Sequence, residues 1–296
     1  MTEKFDQARG LRTSMNSRMQ PQLSAQNQRV KVITVTGGKG GVGKSNVSLN
    51  LAVTMASMGK KVMLLDADLG LANIDVMLGL SVRRNLFNVL NGDCTLDDII
   101  IRGPYDLMIL PATSGTQAMV ELTQAQHAAL IRAFGELRAE VDVLIVDTAA
   151  GISSMVLSFA RAAQDVLVVV CDEPTSVTDA YALMKILSKD YGIFRFKIVA
   201  NMVRTMKEGQ DLFVKLTKVT ERFLDASLEL VGCIPYDPNV KLAIKKQQVI
   251  VDAFPKSPAS ISFRALANRA LTWPIPYQAE GHLQFFIENM LSIREM

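Results

Sequence analysis

The chain has 296 residues, of which 49% are apolar and 21% charged, with a formal net charge of +3. Those proportions suit one large α/β domain with a short extension at each end, and the small charge, with no Lys/Arg run longer than two, gives no sign of direct nucleic-acid binding. Three widely spaced cysteines (Cys94, Cys171, Cys233) exclude a disulfide framework and a CxxC-type zinc or iron–sulfur site; with only His127 and His282, chemistry built on a His pair, triad or His-rich metal site is excluded too.

The opening segment MTEKFDQARGLRTSMNSRMQ carries no apolar core, so no secretory signal is expected, and residues 13–29 read as a flexible linker rich in Gln, Ser, Asn and Met. A strand is predicted over 30–36 and a helix over 44–58, where Val47, Leu51, Met55 and Met58 recur every three or four residues. Further strands are predicted at 61–66, 106–110, 141–147, 165–171, 196–202 and 228–234. Helices are predicted at 123–138, 176–191 and 208–225. Runs such as VLIVD and VLVVVC are apolar throughout, as expected of parallel strands covered on both faces. The expected fold is therefore α/β, a mostly parallel twisted sheet flanked by helices, with three parts: an extension over 1–29, a core over 30–273 and a tail over 274–296. Pro274 and Pro276 stop the last core helix. No stretch reaches the roughly 18–20 apolar residues of a membrane span, and a cytoplasmic location is expected.

Directly after the first predicted strand stands Gly37-Gly38-Lys39-Gly40-Gly41-Val42-Gly43-Lys44-Ser45. From Gly38 onward it satisfies GxxxxGK[ST], with the strand before and the helix after that a phosphate-binding P-loop requires. Glycines let successive N–H groups point at phosphate oxygens, and the helix adds its positive end. Lys44 is then expected to reach the β- and γ-phosphates of ATP, and the Ser45 hydroxyl to ligate Mg²⁺. Two carboxylate motifs follow at predicted strand ends, Asp66-Ala67-Asp68-Leu69-Gly70 and Asp147-Thr148-Ala149-Ala150-Gly151.

The additional Lys39 makes KGGVGKS a deviant P-loop, which resembles that of the MinD/ParA ATPases. That resemblance implies that Lys39 reaches the nucleotide bound by a second subunit, so that ATP drives homodimerisation. It also implies that Asp68 orients or deprotonates the attacking water, that Asp66 and Asp147 hold the hydration shell of Mg²⁺, and that the Gly151 N–H senses the γ-phosphate. The other readings remain open at this point: an exposed loop lysine at position 39, and a helix-capping role for one of the carboxylates. There is no guanine motif; Asn201, ending a predicted strand, could pair with the adenine edge, and Ile234-Pro235-Tyr236-Asp237-Pro238 resembles the family's other adenine-side loop, with contact mostly through backbone at Pro235. Both segments could equally be ordinary turns.

The stretches DADLGLANIDVMLG and DEPTSVTDAYAL, with the front segment Asp6-Gln7-Ala8-Arg9-Gly10-Leu11-Arg12, are similar to those of the MinD-like flagellar-number regulators FlhG and FleN. The resemblance implies an ATPase switch that limits polar flagella, and as partners the GTPase FlhF, the flagellar transcription activator and proteins of the switch ring. Gln7 is expected to activate the FlhF-type GTPase. From His282 the sequence HLQFFIENMLSIREM places Leu283, Phe286, Ile287, Met290 and Leu291 on one stripe. A helix at the inner-membrane surface and a helix docked on the core or on a partner are both open. Cell-division MinD, ParA-type partitioning ATPases and an ATP-gated adaptor with negligible turnover remain the alternative functions.

Overall fold

The computed structural model describes residues 30–68, 73–111 and 124–275. Strand β1 (Lys31–Thr36) is buried along its length and leads through the glycine-rich turn into helix α1 (Lys44–Ser57). There follow β2 (Val62–Ala67), the short helices α2 (Ile74–Leu78) and α3 (Leu86–Leu90), β3 (Ile101–Arg102), β4 (Met108–Pro111), α4 (Gln124–Gly135), β5 (Val143–Thr148) and α5 (Ser154–Ala162). Next come β6 (Asp165–Val170), α6 (Pro174–Tyr191), β7 (Arg195–Val203), α7 (Met206–Phe223) and β8 (Ser227–Pro235). Helices α8 (Pro238–Lys245), α9 (Ile250–Ala253) and α10 (Pro258–Leu271) complete the described elements.

The eight strands form one sheet in the order β3-β4-β2-β5-β1-β6-β7-β8. Its pairings are parallel except that of β3 with β4, so the fold is the mostly parallel sheet expected. Alternation along β1 sends Ile33 and Val35 into the layer shared with α1 and α10, and Val32 into the layer beneath α3 and α4. A third cluster packs β6 and β7 against α6 and α7. Because β5 lies on one side of β1 and β6 on the other, the chain changes direction across the sheet at β1. Crevices for ligands open at the carboxyl ends of strands at such a point.

Several boundaries differ from the sequence reading for local reasons. The strand predicted from 106 begins at Met108, because Tyr105 and Asp106 turn with φ of 55° and 58°. Strand β7 runs on to Val203 through a register shift between Asn201 and Val203, with Met202 at φ 58°. That bulge turns Asn201 into the interior and Met202 to solvent. Helices α5 and α8 were outside the predicted set, and of α10 only the end before Pro274 was expected; the starts of the three are marked by the capping side chains of Ser153, Asp237 and Ser257. The two-residue β3 is too short to carry a period. Among the described residues no helix is long and apolar enough to cross a membrane. The front segment with Gln7 and the stripe after His282 lie outside the described residues.

Candidate functional site

The glycine-rich turn is shaped by its neighbours as much as by its own sequence. A Cβ on Gly38 would stand 2.1 Å from the carbonyl carbon of Asp179, inside the backbone of α6. Only glycine allows that approach. Gly43 has φ 88°, and a Cβ there would lie 2.4 Å from Asn201 Nδ2, so both conformation and space require glycine. No side chain caps the N-terminus of α1, and no acidic residue occupies its first turn. Its backbone N–H groups and positive dipole end are thus left to an anion, the arrangement of a phosphate cradle. Gly40, Gly41 and Val42 complete the turn, with Gly41 at φ 83° and Val42 buried.

Two lysines meet at this turn in different environments. Lys44 is buried, its Nζ 3.4 Å from the Lys39 carbonyl oxygen. Burial pushes its pKa down, and the carboxylates of Asp147 and Asp68 counter that shift. Lys39 is partly exposed and pairs with the Glu173 carboxylate at 2.6 Å while donating to Thr175 Oγ1 at 2.9 Å. Glu173 and Thr175, at the start of α6, were not singled out in the sequence. Their position within DEPTSVTDAYAL was the available signal.

The carboxylates gather from β2 and β5, which pair in register with Asp66 opposite Asp147. Asp66 accepts backbone N–H bonds from Asp68 (3.3 Å), Asn73 (3.2 Å) and Ile74 (3.2 Å). Burial raises its pKa to about 7, with the nearby Asp147 charge adding to the rise and the three backbone donors opposing it. Asp147 is wholly buried, and burial lifts it to about 6 against the hydroxyls of Ser45 and Ser48. Its Oδ1 accepts from Ser48 at 2.8 Å, whereas Oδ2 is buried with no hydrogen-bond partner among the described residues. A buried carboxylate oxygen left open beside a serine hydroxyl fits a hydrated Mg²⁺ bound at the cradle. Asp68 follows the end of β2 and is electrostatically coupled to both Lys44 and Asp147.

These raised values make a pH prediction for the nucleotide-free protein. A carboxyl whose pKa is higher folded than unfolded binds more protons in the native state, so its contribution is full at acid pH and lost as pH rises through the folded value. Stability is therefore expected to fall between about pH 4 and pH 7, on the order of 3 kcal/mol for Asp66. Urea unfolding across that range measures it. An Asp66→Asn variant should flatten the profile.

The remaining predicted residues serve the same edge in several ways. Gly151 (φ 90°) donates its N–H to the Gly37 carbonyl at 3.2 Å, laying its loop against the P-loop. Asn201 Nδ2 donates to the Val42 carbonyl at 2.8 Å, which ties β7 to the cradle. Pro235 ends β8 opposite Val203. Both carboxylate oxygens of buried Asp237 accept backbone N–H bonds, from Asn239 at 2.9 Å and from Ala259 at 3.3 Å. The Asp237 side chain thus holds the loop.

The P-loop geometry, two lysines and facing carboxylates define a deviant P-loop nucleotide-binding protein. A family model described as ParA, NUBPL iron-transfer P-loop NTPase, matches residues 28–271, and the chain belongs to this ParA/MinD-type P-loop NTPase family. Among curated relatives it is 57% identical over 262 residues to the antiactivator FleN of Pseudomonas aeruginosa, covering 88% of this chain and 94% of that one. It is 33% identical over 287 residues to the flagellum site-determining protein YlxH of Helicobacter pylori, covering 95% and 97%. Among solved structures, the septum site-determining protein MinD of Pyrococcus horikoshii, complexed with Mg-ADP, is similar with a TM-score of 0.61 at 25% identity, over 80% of this chain and 94% of that one. The chain is thus a homologue of the FleN/FlhG group.

Proposed function

We propose that the protein is an Mg²⁺-dependent ATPase that dimerises with ATP and acts as a switch controlling flagellar number and placement. One observation carries the chemistry: the uncapped start of α1 (Lys44–Ser57) begins with buried Lys44 and is bonded through Ser48 to Asp147, whose Oδ2 has no hydrogen-bond partner among the described residues. In this reading the P-loop N–H groups from Gly38 to Ser45 and the Lys44 ammonium bind the phosphates. Ser45, Asp66 and Asp147 would hold Mg²⁺, Ser45 directly and the two carboxylates through water, and Asp68 would orient the attacking water. Mg²⁺ supplies charge neutralisation on the phosphate oxygens when bound. The Gly151 N–H, now on Gly37, is released to the γ-phosphate, and Asn201 with the Pro235–Asp237 backbone borders the adenine. Lys39 leaves Glu173 for the nucleotide of a second copy.

The name of the YlxH relative, a flagellum site-determining protein, supports flagellar regulation, and that of FleN, an antiactivator, supports a restraining role. We assign residues 1–29 to activation of an FlhF-type GTPase through Gln7, and residues 274–296 to reversible attachment at the inner membrane or cell pole. The flagellar transcription activator and switch-ring proteins are the further partners. Replacing the chromosomal copy with Lys44→Ala is expected to change the number of flagella per cell, counted by electron microscopy. Counts identical to the parent, at equal protein level, would contradict the flagellar role.

A further inference from the structure

Ser48 has no part in the roles assigned so far. It lies on the inner face of α1 (Lys44–Ser57), fully buried, one turn beyond Ser45. Its hydroxyl carries one proton and has two acceptors within reach, the Lys44 carbonyl oxygen at 3.1 Å and Asp147 Oδ1 at 2.8 Å. The shorter bond is also the one to a carboxylate, and hydrogen bonds to carboxylates are the stronger kind. The proton therefore goes to Asp147. The Ser45 hydroxyl also opposes the rise in the pKa of this carboxylate, while among the described residues Oδ2 is buried without a hydrogen-bond partner.

The two serines differ in what a bound cation does to them. A hydroxyl that ligates Mg²⁺ turns its lone pair to the metal and reorients its proton. Ser48 stands one helical turn, about 5 Å, further along the axis, and its bond to Oδ1 does not depend on the metal. With Ser48 removed and Ser45 drawn to the cation, the Asp147 carboxylate would be free to rotate about its Cβ–Cγ bond. Carboxylates around a bound metal are themselves oriented by further hydrogen bonds, and losing such a bond weakens metal binding. We propose that Ser48 is a positioning residue that locks the Asp147 carboxylate, keeping Oδ2 available to a water held on Mg²⁺. This role rests on the Mg²⁺–ATP reading of the site.

The test is binding of a fluorescent ATP analogue to the full chain, with excess Mg²⁺ or with EDTA. The wild type should bind more tightly with Mg²⁺. In Ser48→Ala the affinity in EDTA should stay within about twofold, and the gain from Mg²⁺ should fall about tenfold, the scale of losing a partner of a metal-shell group. Ser48→Cys, close in size but a weaker donor, should fall between the two. In an Asp147→Asn background, Ser48→Ala should remove nothing more from the Mg²⁺ gain, because the carboxylate it orients is gone. A merely structural serine would lower affinity in EDTA and Mg²⁺ alike. A full Mg²⁺ gain in Ser48→Ala, or an additive loss in the Asp147→Asn background, overturns the role of Ser48 alone. A wild type with no Mg²⁺ gain overturns the nucleotide reading and this role together.

Discussion

Replacing Lys44 with Ala is expected to lower ATP affinity by two to three orders of magnitude. The ammonium is buried and its pKa is pushed down by that burial. Its protein hydrogen bond is a long one, 3.4 Å to the Lys39 carbonyl. A cation held with such weak local satisfaction has its strongest available partner in a phosphate, and in a site shielded from water that attraction is large. Breaking a buried pair by removing one partner costs about 3–5 kcal/mol, and each 1.4 kcal/mol is about tenfold in affinity. The fold should not suffer, because the substitution also removes a desolvated charge. Calorimetric titration with ATP and Mg²⁺ measures the loss, and thermal melting without nucleotide serves as the control. Affinity within threefold of wild type would separate Lys44 from phosphate binding.

Asp68→Ala should separate binding from hydrolysis. Asp68 lies directly after the end of β2 (Val62–Ala67), its N–H on Asp66 and its charge coupled to Lys44 and Asp147. Removing a carboxylate from a site that receives a polyanion should hold or slightly raise ATP affinity. Turnover should fall about 10²–10⁴-fold, the range set by losing a positioned acceptor for the attacking water. Phosphate release in a single turnover distinguishes the two effects. Equal losses of binding and turnover would assign Asp68 to the ground-state complex instead.

The parts of the site that are contiguous in sequence could be read there, because the chain dictates them locally. The GxxxxGK[ST] spacing requires a strand before it and a helix after it, and β1 and α1 stand on either side. Asp66 and Asp147 end apolar runs, so they fall on the same edge once the sheet is parallel. What could not be read depends on which strands become neighbours. Asn201 meets Val42 only because β7 lies two places from β1 and is bulged at Met202. Lys39 finds Glu173 and Thr175 across more than 130 residues of chain. Ser48 was hidden for another reason: within a helical pattern a buried serine carries no hydrophobic signal, and its partner lies 99 residues away. Asp237 showed the reverse effect, since an acidic residue before Pro238 signals a helix cap as strongly as it does a ligand contact.

A dimer is expected only with ATP, and Lys39 gives it a physical handle. In the described chain Lys39 is paired with Glu173 on the surface. Solvent-screened pairs of that kind contribute little, so the lysine can be released to a stronger partner. A phosphate buried between two copies is such a partner, since a charge removed from water requires a paired cation. Light scattering on Asp68→Ala, with Mg²⁺ and either ATP or ADP, tests this directly. The account predicts the mass of one chain with ADP, of two chains with ATP, and of one chain with ATP when Lys39→Ala is added. The same mass in all three samples, under conditions where ATP is shown to be bound, would contradict it.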